Sequence, residues 1–428
     1  MQTRSKPQKR GTARAAKGRA GLSAQQTIPY IAMHPDGVCQ LPGGIYTKTV
    51  EYEDINYSVA STEDQTAIFG GWSSFLNYFD SSLPFQLSFI NRRSRDRSRY
   101  KVNIPPAEDH FNSVREELTS MLKNQIAKSN NGIERTKYIT FGLPAEGVAE
   151  ARPRLERVEA DVMGNLHRLG VQSEPLSGRD RLALLHSQMH PGNREPFRFS
   201  WQDIPKTGLG TKDYIAPDSL QFKTDHFIMG KKFGRVLFLK DYPNFLKDET
   251  IARLCEFPQN LMLSIQIVPV PMEEAVADMQ KRVLAVETDI TRWQQKQNAN
   301  HNFSAEPPYE MQQMRQEMKA LLDDLTSRDQ RMVLVLVTLV HLADSYAQLN
   351  SDTEAITATA RGDLCRFNTL HFQQEEGLNT ALPYGLREIE AMRTMNTESA
   401  AALTPFSAQD VMDRGGIYYG RNAISRNS

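Results

Sequence analysis

The groupings best placed for chemistry are few, and each lacks a component. A phosphate-binding loop, G-x-x-x-x-G-K-[ST], needs a glycine-rich turn to wrap phosphates in backbone N–H groups, with Lys and a hydroxyl serving the terminal phosphate and its metal. The one Gly-Lys pair, Gly230-Lys231, has Asp225 five positions before the glycine and Lys232 where the hydroxyl belongs. Val333 to Val337 with Asp344 beyond imitates the metal-carboxylate strand of such a site, but without the loop it reads as a core strand. His186 and His190 stand four apart on a predicted helix, the spacing of two ligands on one face, yet Ser187 takes the place of the acid in H-E-x-x-H. Two imidazoles without a third ligand hold a metal poorly, so they read as histidines favoured by a helix C-terminus. Glu375 and Glu376 form a carboxylate pair at a predicted strand end and read as solvated. Cys39, Cys255 and Cys365 are too scattered for a disulfide framework or a local zinc cluster, which suits a reducing compartment such as the cytosol. No nucleophile and base pair stands out. The residues therefore assign no catalytic, cofactor-binding or metal position, and a free-standing enzyme is not supported.

The elements that must position any site follow from periodicity. A chain of 428 residues, 39% hydrophobic and 24% charged, can bury two or three cores. A basic arm over 1–22 precedes a first lobe over 23–190. That lobe has strands within 44–58, at Phe85 to Phe89 and at Lys137 to Phe141, and helices over Asp64 to Phe79, Ala107 to Ser129 and Ala149 to Leu169. The helix from Ala107 carries Phe111, Val114, Leu118, Met121, Leu122 and Ile126 at helical spacing. Arg92 to Lys101 reads as a basic loop. After a helix over 179–189, the Pro- and Gly-rich stretch 191–217 reads as a linker.

The second lobe, 218–403, opens with strands at Asp225 to Met229 and Arg235 to Lys240, then Leu261 to Val270. The stripes Val276, Met279, Val283, Val286, Ile290, Trp293 and Met311, Met314, Met318, Leu321, Leu325 both step three and four, predicting an antiparallel helical hairpin over 272–328. Its outer face, with Arg282, Asp289 and Arg292, is a candidate partner surface. The apolar run Met332 to Leu342 is a central strand. A helix near Thr353 to Arg361 and a strand over Leu364 to Phe372 complete a split β-α-β sheet with an inserted hairpin. The expected class is α+β, two mixed lobes with short-stranded sheets.

The balanced charge, 51 basic against 51 acidic side chains, hides an asymmetry. Arg4, Lys6, Lys9, Arg10, Arg14, Lys17 and Arg19 crowd the first 22 residues without an acid. This arm is either a solubilising tail or an electrostatic tether to anionic lipid or nucleic acid; each basic residue near a charged membrane contributes about 1 kcal/mol. Beyond the arm the chain is net acidic, which disfavours a nucleic-acid-binding folded surface. No apolar run approaches the length that spans a bilayer.

The ordered phrases IPYIAMHPDGVCQLPGGIYTKTVEYEDINY, FLNYFDSSLPFQLSFIN, AKSNNGIERTKYITFG, LHFQQEEGLNTALPYG and GGIYYGRNAISRNS resemble the N-terminal part of the type IV secretion traffic ATPases that serve conjugation in Gram-positive mobile elements. The resemblance runs from about Gln25 to Ser428. It implies a cytoplasmic motor, peripheral at the inner face of the membrane, oligomeric in its full form and in contact with membrane components of a conjugation channel. In that family the stretch similar to Gly415-Gly416-Ile417-Tyr418-Tyr419-Gly420 precedes the phosphate-binding loop. Residues 404–428 are thus expected to lead towards an ATPase domain, and ATP and Mg2+ are expected only there. The implied role of this chain is non-catalytic docking and assembly. The alternative is a stand-alone adaptor or nucleic-acid-binding protein that uses the basic arm.

Overall fold

In strand β4 (Phe85–Arg93), Phe85, Leu87 and Phe89 enter one apolar layer, while the buried Gln86 and Ser88 enter a polar layer on the opposite face. The period of two along a strand sets this division; around this polar centre the opposite face carries a second apolar core with Ile90, Val236, Met262 and Val340. The computed structural model describes residues 23–404 except 56, 58–59, 94–103, 130–132, 193–196, 244–247, 256, 258, 303–305 and 328–329. The basic arm from Arg4 to Arg19 and residues 405–428 lie outside the described residues, as does most of the expected basic loop, although β4 itself runs on through Arg92 and Arg93.

The fold is α+β. The remaining strands are β1 (Ala32–Met33), β2 (Cys39–Leu41), β3 (Ile45–Tyr52), β5 (Ile133–Pro144), β6 (Ser173–Pro175), β7 (Leu220–Phe222), β8 (Phe227–Met229), β9 (Lys232–Asp241), β10 (Leu261–Pro269), β11 (Met332–Ala343), β12 (Arg366–Thr369) and β13 (Arg393–Asn396). They form one 13-stranded sheet in the order β1-β2-β3-β5-β4-β10-β11-β9-β8-β7, with β6 on β3, β12 on β9 and β13 on β11. Every ladder is antiparallel.

That order reads the same from either edge because the chain contains the same unit twice. In each unit a hairpin (β1-β2 or β7-β8) leads into a first strand (β3 or β9). The second strand (β4 or β10) runs parallel to the first, with the third (β5 or β11) between them, and the fourth (β6 or β12) returns beside the first. This is the split β-α-β arrangement expected for the second lobe, and the first lobe shares it. The units join edge to edge through β4 and β10, in a ladder of Phe85–Asn91 against Ile267–Leu261 centred on Ser88 opposite Ser264.

Helices Thr62–Leu76, Val148–Arg168, Asp248–Cys255 and Tyr346–Gly362 cover the apolar face. Val148–Arg168 does so with Leu155, Val158, Val162 and Leu166, the stripe its spacing predicts. Helices Gly178–Met189 and Gln374–Ala381 cover the other face. Ser177 starts the first of these with a reciprocal cap to Asp180. Its first residue, Gly178, lies so close to the turn below that a Cβ would sit 2.0 Å from the His34 carbonyl oxygen. The expected linker is part of this packing: Phe199 and Ile215 are buried in the second core and Lys212 Nζ donates to Ile28 O at 2.9 Å. Its Pro and Gly residues serve turns and two short helices, Ile204–Thr207 and Thr211–Ile215.

The links between second and third strands differ between the units. In the first unit the described part of the link holds one helix, Asn112–Ser129. In the second, helices Met272–Ala299 and Tyr309–Ser327 form the expected hairpin. Among the described residues no helix is long and apolar enough to cross a membrane.

Candidate functional site

Where β4 ends beside the start of β10, a groove of about 1490 Å³ opens on the second face of the sheet. Its floor is apolar, with Met262, Val340, Leu378 and Leu382. One wall is the C-terminal end of helix Gly178–Met189; the opposite rim is the β8-β9 turn, Gly230 to Lys232, and Arg92 also lines the opening. The sequence candidates for phosphate and metal chemistry, far apart in the chain, thus meet here: Lys231, Lys232, Asp344, His186 and His190.

Their geometry assigns them other work. A phosphate loop joins a strand to a helix whose N-terminal N–H groups face the anion. Gly230-Lys231 instead joins two strands, with Gly230 at φ +56° to make the tight turn. Lys232 Nζ is ion-paired with the Asp344 carboxylate, so the acid that imitated a metal-binding partner is engaged by a lysine. Lys231 projects as an exposed cation on the rim.

The helical spacing of His186 and His190 stacks their rings, with centroids 4.1 Å apart and planes at 22°. His190 Nδ1 lies 3.1 Å from the His186 carbonyl oxygen and can donate to it. Phe197 extends the stack, 5.0 Å from His186. Burial, reinforced by the neighbouring His190, pushes the His186 pKa down to about 4. The expected dipole-favoured cation is therefore a neutral ring at position 186: desolvation outweighs the helix terminus. Side-by-side rings do not converge on one ion, and among the described residues no three His, Cys, Asp or Glu side chains are grouped as a metal centre requires. Ser187 Oγ donates to Leu184 O at 2.7 Å instead of to an imidazole, so no activated nucleophile results. Glu375 and Glu376, expected at a strand end, lie in the first turn of helix Gln374–Ala381, where the helix dipole favours them. The groove thus combines an exposed cation, Lys231, on its rim with an apolar floor.

Two features with no signal in residue spacing hold this region together. Arg181 is buried in helix Gly178–Met189, where Nη1 donates to Gly37 O and Thr47 O, each at 2.8 Å, and Nη2 reaches Thr47 Oγ1 at 3.2 Å and Pro383 O at 3.3 Å. At the junction of the two units, Gln86 and Gln266 face each other across the ladder. Gln86 Nε2 lies 2.6 Å from Ser264 Oγ and 3.1 Å from the carbonyls of Thr380, Ala381 and Leu382, while its Oε1 accepts from Gly385 N–H at 2.8 Å. Gln266 Nε2 reaches Thr380 O and Leu386 O, both at 3.1 Å. The two amides thereby satisfy carbonyls at the end of helix Gln374–Ala381 that its own turns cannot.

The candidate partner surface lies elsewhere, on the hairpin. Arg282 bonds Asp278 at 2.8 Å and Arg292 pairs with Asp289 at 3.6 Å, both pairs exposed along helix Met272–Ala299. The hairpin's inner face is the predicted one: Met279, Ile290 and Leu325 are buried, and Lys319 joins Glu287 across the two helices at 2.6 Å. That pairing holds the Glu287 carboxyl below its usual range. Met314 departs from the expected stripe and is 52% exposed.

Comparison with models of known protein families and with curated proteins finds no match to this chain.

Proposed function

We propose that this chain is the non-catalytic docking and assembly part of a conjugation ATPase of the type IV secretion class, acting peripherally at the cytoplasmic face of a membrane. The observation that carries this reading is the series of ordered sequence phrases from IPYIAMHPDG to GGIYYGRNAISRNS. The fold supports it in two ways. Gly230-Lys231, the nearest approach to a triphosphate loop, is a strand-to-strand turn. The hairpin's first helix is 28 residues or about 42 Å long, and the hairpin is clustered at its base on Met332 through Ala275 and Met279 of that helix and Leu325 of the second.

In this reading ATP and Mg2+ belong to a domain C-terminal to residue 428. The hairpin surface around Arg282, Asp289 and Arg292 meets membrane components of the channel, and the arm from Arg4 to Arg19 adds weak, salt-sensitive attraction to anionic lipid. Photo-crosslinking residues at Leu284 and Tyr309, 68% and 77% exposed, test it in cells that carry such a channel. Adducts with membrane channel proteins are expected, together with no Mg2+-dependent ATP turnover by the purified chain. Adducts with nucleic acid alone, or turnover abolished by Lys231→Ala, would overturn it.

A further inference from the structure

The helix Asn112–Ser129 buries Thr119, yet leaves a row of large apolar side chains in water: Phe111 is 63% exposed, Val114 55%, Leu118 40% and Met121 52%. The steps of three, four and three place them on one stripe, the repeat of a helix that packs along another helix. Isolated exposed apolar residues are ordinary, whereas a contiguous stripe marks an interaction surface.

The second unit indicates what such a stripe takes. At the equivalent link between second and third strands, the stripe of helix Met272–Ala299 is covered by an antiparallel helix, Tyr309–Ser327, with Met279 and Leu325 buried and Met318 and Leu321 packed alongside. Among the described residues the first unit has the exposed stripe and no covering helix.

Charge selects the occupant. The N-terminal part of the segment carries Glu108, Asp109, Glu116 and Glu117 against a single cation, Arg115, which is itself bonded to Asp109. From Met121 to Ser129 the sequence has Lys123 and Lys128 and no acid. A second identical helix running antiparallel, with Phe111 opposite Met121 and Val114 opposite Leu118, meets the stripe with its own and sets position 109 against 123 and 115 against 117, each an acid against a base, leaving Glu116 of the two copies to meet at the centre. A parallel arrangement would oppose like charges.

We propose that helix Asn112–Ser129 is a self-association surface: two copies of this chain pair antiparallel through Phe111, Val114, Leu118 and Met121, each completing for the other the hairpin that the second unit builds internally. The inference stands independently of the proposed secretion role. A pair of single helices gives an interface near the lower limit of about 1,000 Å² for specific association, so a concentration-dependent dimer in the micromolar range follows.

Sedimentation velocity of the full chain across that range tests it. A monomer–dimer equilibrium is expected, weakened at least tenfold by Leu118→Glu and by Phe111→Ser, with circular dichroism and melting temperature unchanged because both side chains already face solvent. In a bismaleimide reaction, Leu118→Cys is expected to couple to itself across the dimer at higher yield than a cysteine on the outer face of the hairpin, such as Arg292→Cys. A chain that stays monomeric throughout, whether or not it captures a foreign helix, overturns the proposal. So does a dimer indifferent to both substitutions, which would place the interface elsewhere.

Discussion

The two units share one strand order and differ in what they hang on it. In the first, the described part of the link from second strand to third is one amphipathic helix that keeps its stripe in water; in the second, the same link is a hairpin closed on itself over Met279 and Leu325. The fastening of the opposite face differs as well. Arg181, from the helix after the first unit, grips the first strand through Thr47, whereas Gln374, from the helix after the second, bonds Val236 N at 2.9 Å and reaches Val236 O and Leu370 O. A buried guanidinium and a buried amide occupy comparable places. The strand framework is thus what the units hold in common, and connections and fastenings are where they have diverged.

Substitution at the two fastenings offers the sharpest contrast. Arg181→Ala strands the carbonyls of Gly37, Thr47 and Pro383 and opens a large cavity, so a loss of about 3–5 kcal/mol is expected in denaturant unfolding. Gln374→Ala removes the partner of the Val236 N–H and of the Leu370 carbonyl, while Val236 O keeps the Leu370 N–H, and is expected to cost about 1–3 kcal/mol without the loss of a charge. Equal losses would erase the distinction between them.

The two links come next. Met279→Ala in the hairpin base is expected to cost about 2–4 kcal/mol by chemical denaturation.

A smaller effect depends on pH and is expected mainly from the second unit. His341 is fully buried on β11, with Nε2 3.0 Å from Thr353 Oγ1, and burial, aided by the nearby Arg235, pushes its pKa down to about 3. The unfolded chain therefore takes up this proton near pH 6.5 while the folded chain does not. Its contribution to stability is complete above about pH 6.5 and declines as pH falls towards 3, by at most about 1.4 kcal/mol per pH unit. Denaturant midpoints measured between pH 7 and pH 5 should show this slope, and His341→Gln should flatten it. His186, lowered to about 4, acts in the same direction over a narrower range. The smallest effect is expected in the first link: on monomer stability, Phe111→Ser should stay within about 0.5 kcal/mol, since that ring already faces water.

Stripes were readable from the sequence wherever one side of an element meets a core. Helix Val148–Arg168 appears with the expected residues inside, and the hairpin's first helix buries Met279 and Ile290 of its expected stripe with the rest half-buried, because steps of three and four leave little alternative. Strand ends were less readable. Strand β5 extends back to Ile133 through Glu134, Arg135 and Thr136, which pair with the end of β4 by backbone bonds that alternation does not report. The doubling of the unit left no trace in periodicity, since it resides in strand order while the links that separate its strands differ in length and kind. At the groove, sequence spacing brought His186 and His190 together but could not give the ring orientation that decides between stacking and ligation. Arg181 next to Leu182 reads as the polar side of an amphipathic helix; its acceptors at Gly37, Thr47 and Pro383 lie far off in the chain.

The seam between β4 and β10 has a mechanical consequence. The first link leaves the C-terminal end of β4 and the second leaves the C-terminal end of β10, and because these strands are antiparallel the links depart from opposite ends of the sheet. Tension applied between the two helical projections would draw the strands past each other lengthwise. The bonds from Phe85–Ile267 to Asn91–Leu261 would then bear the load together instead of parting one by one, with the Gln86 amide bonded to Ser264 across the plane of slip. Pulled along this axis the doubled sheet resists as a lap joint; pulled from one end of the seam, it would open like a zipper.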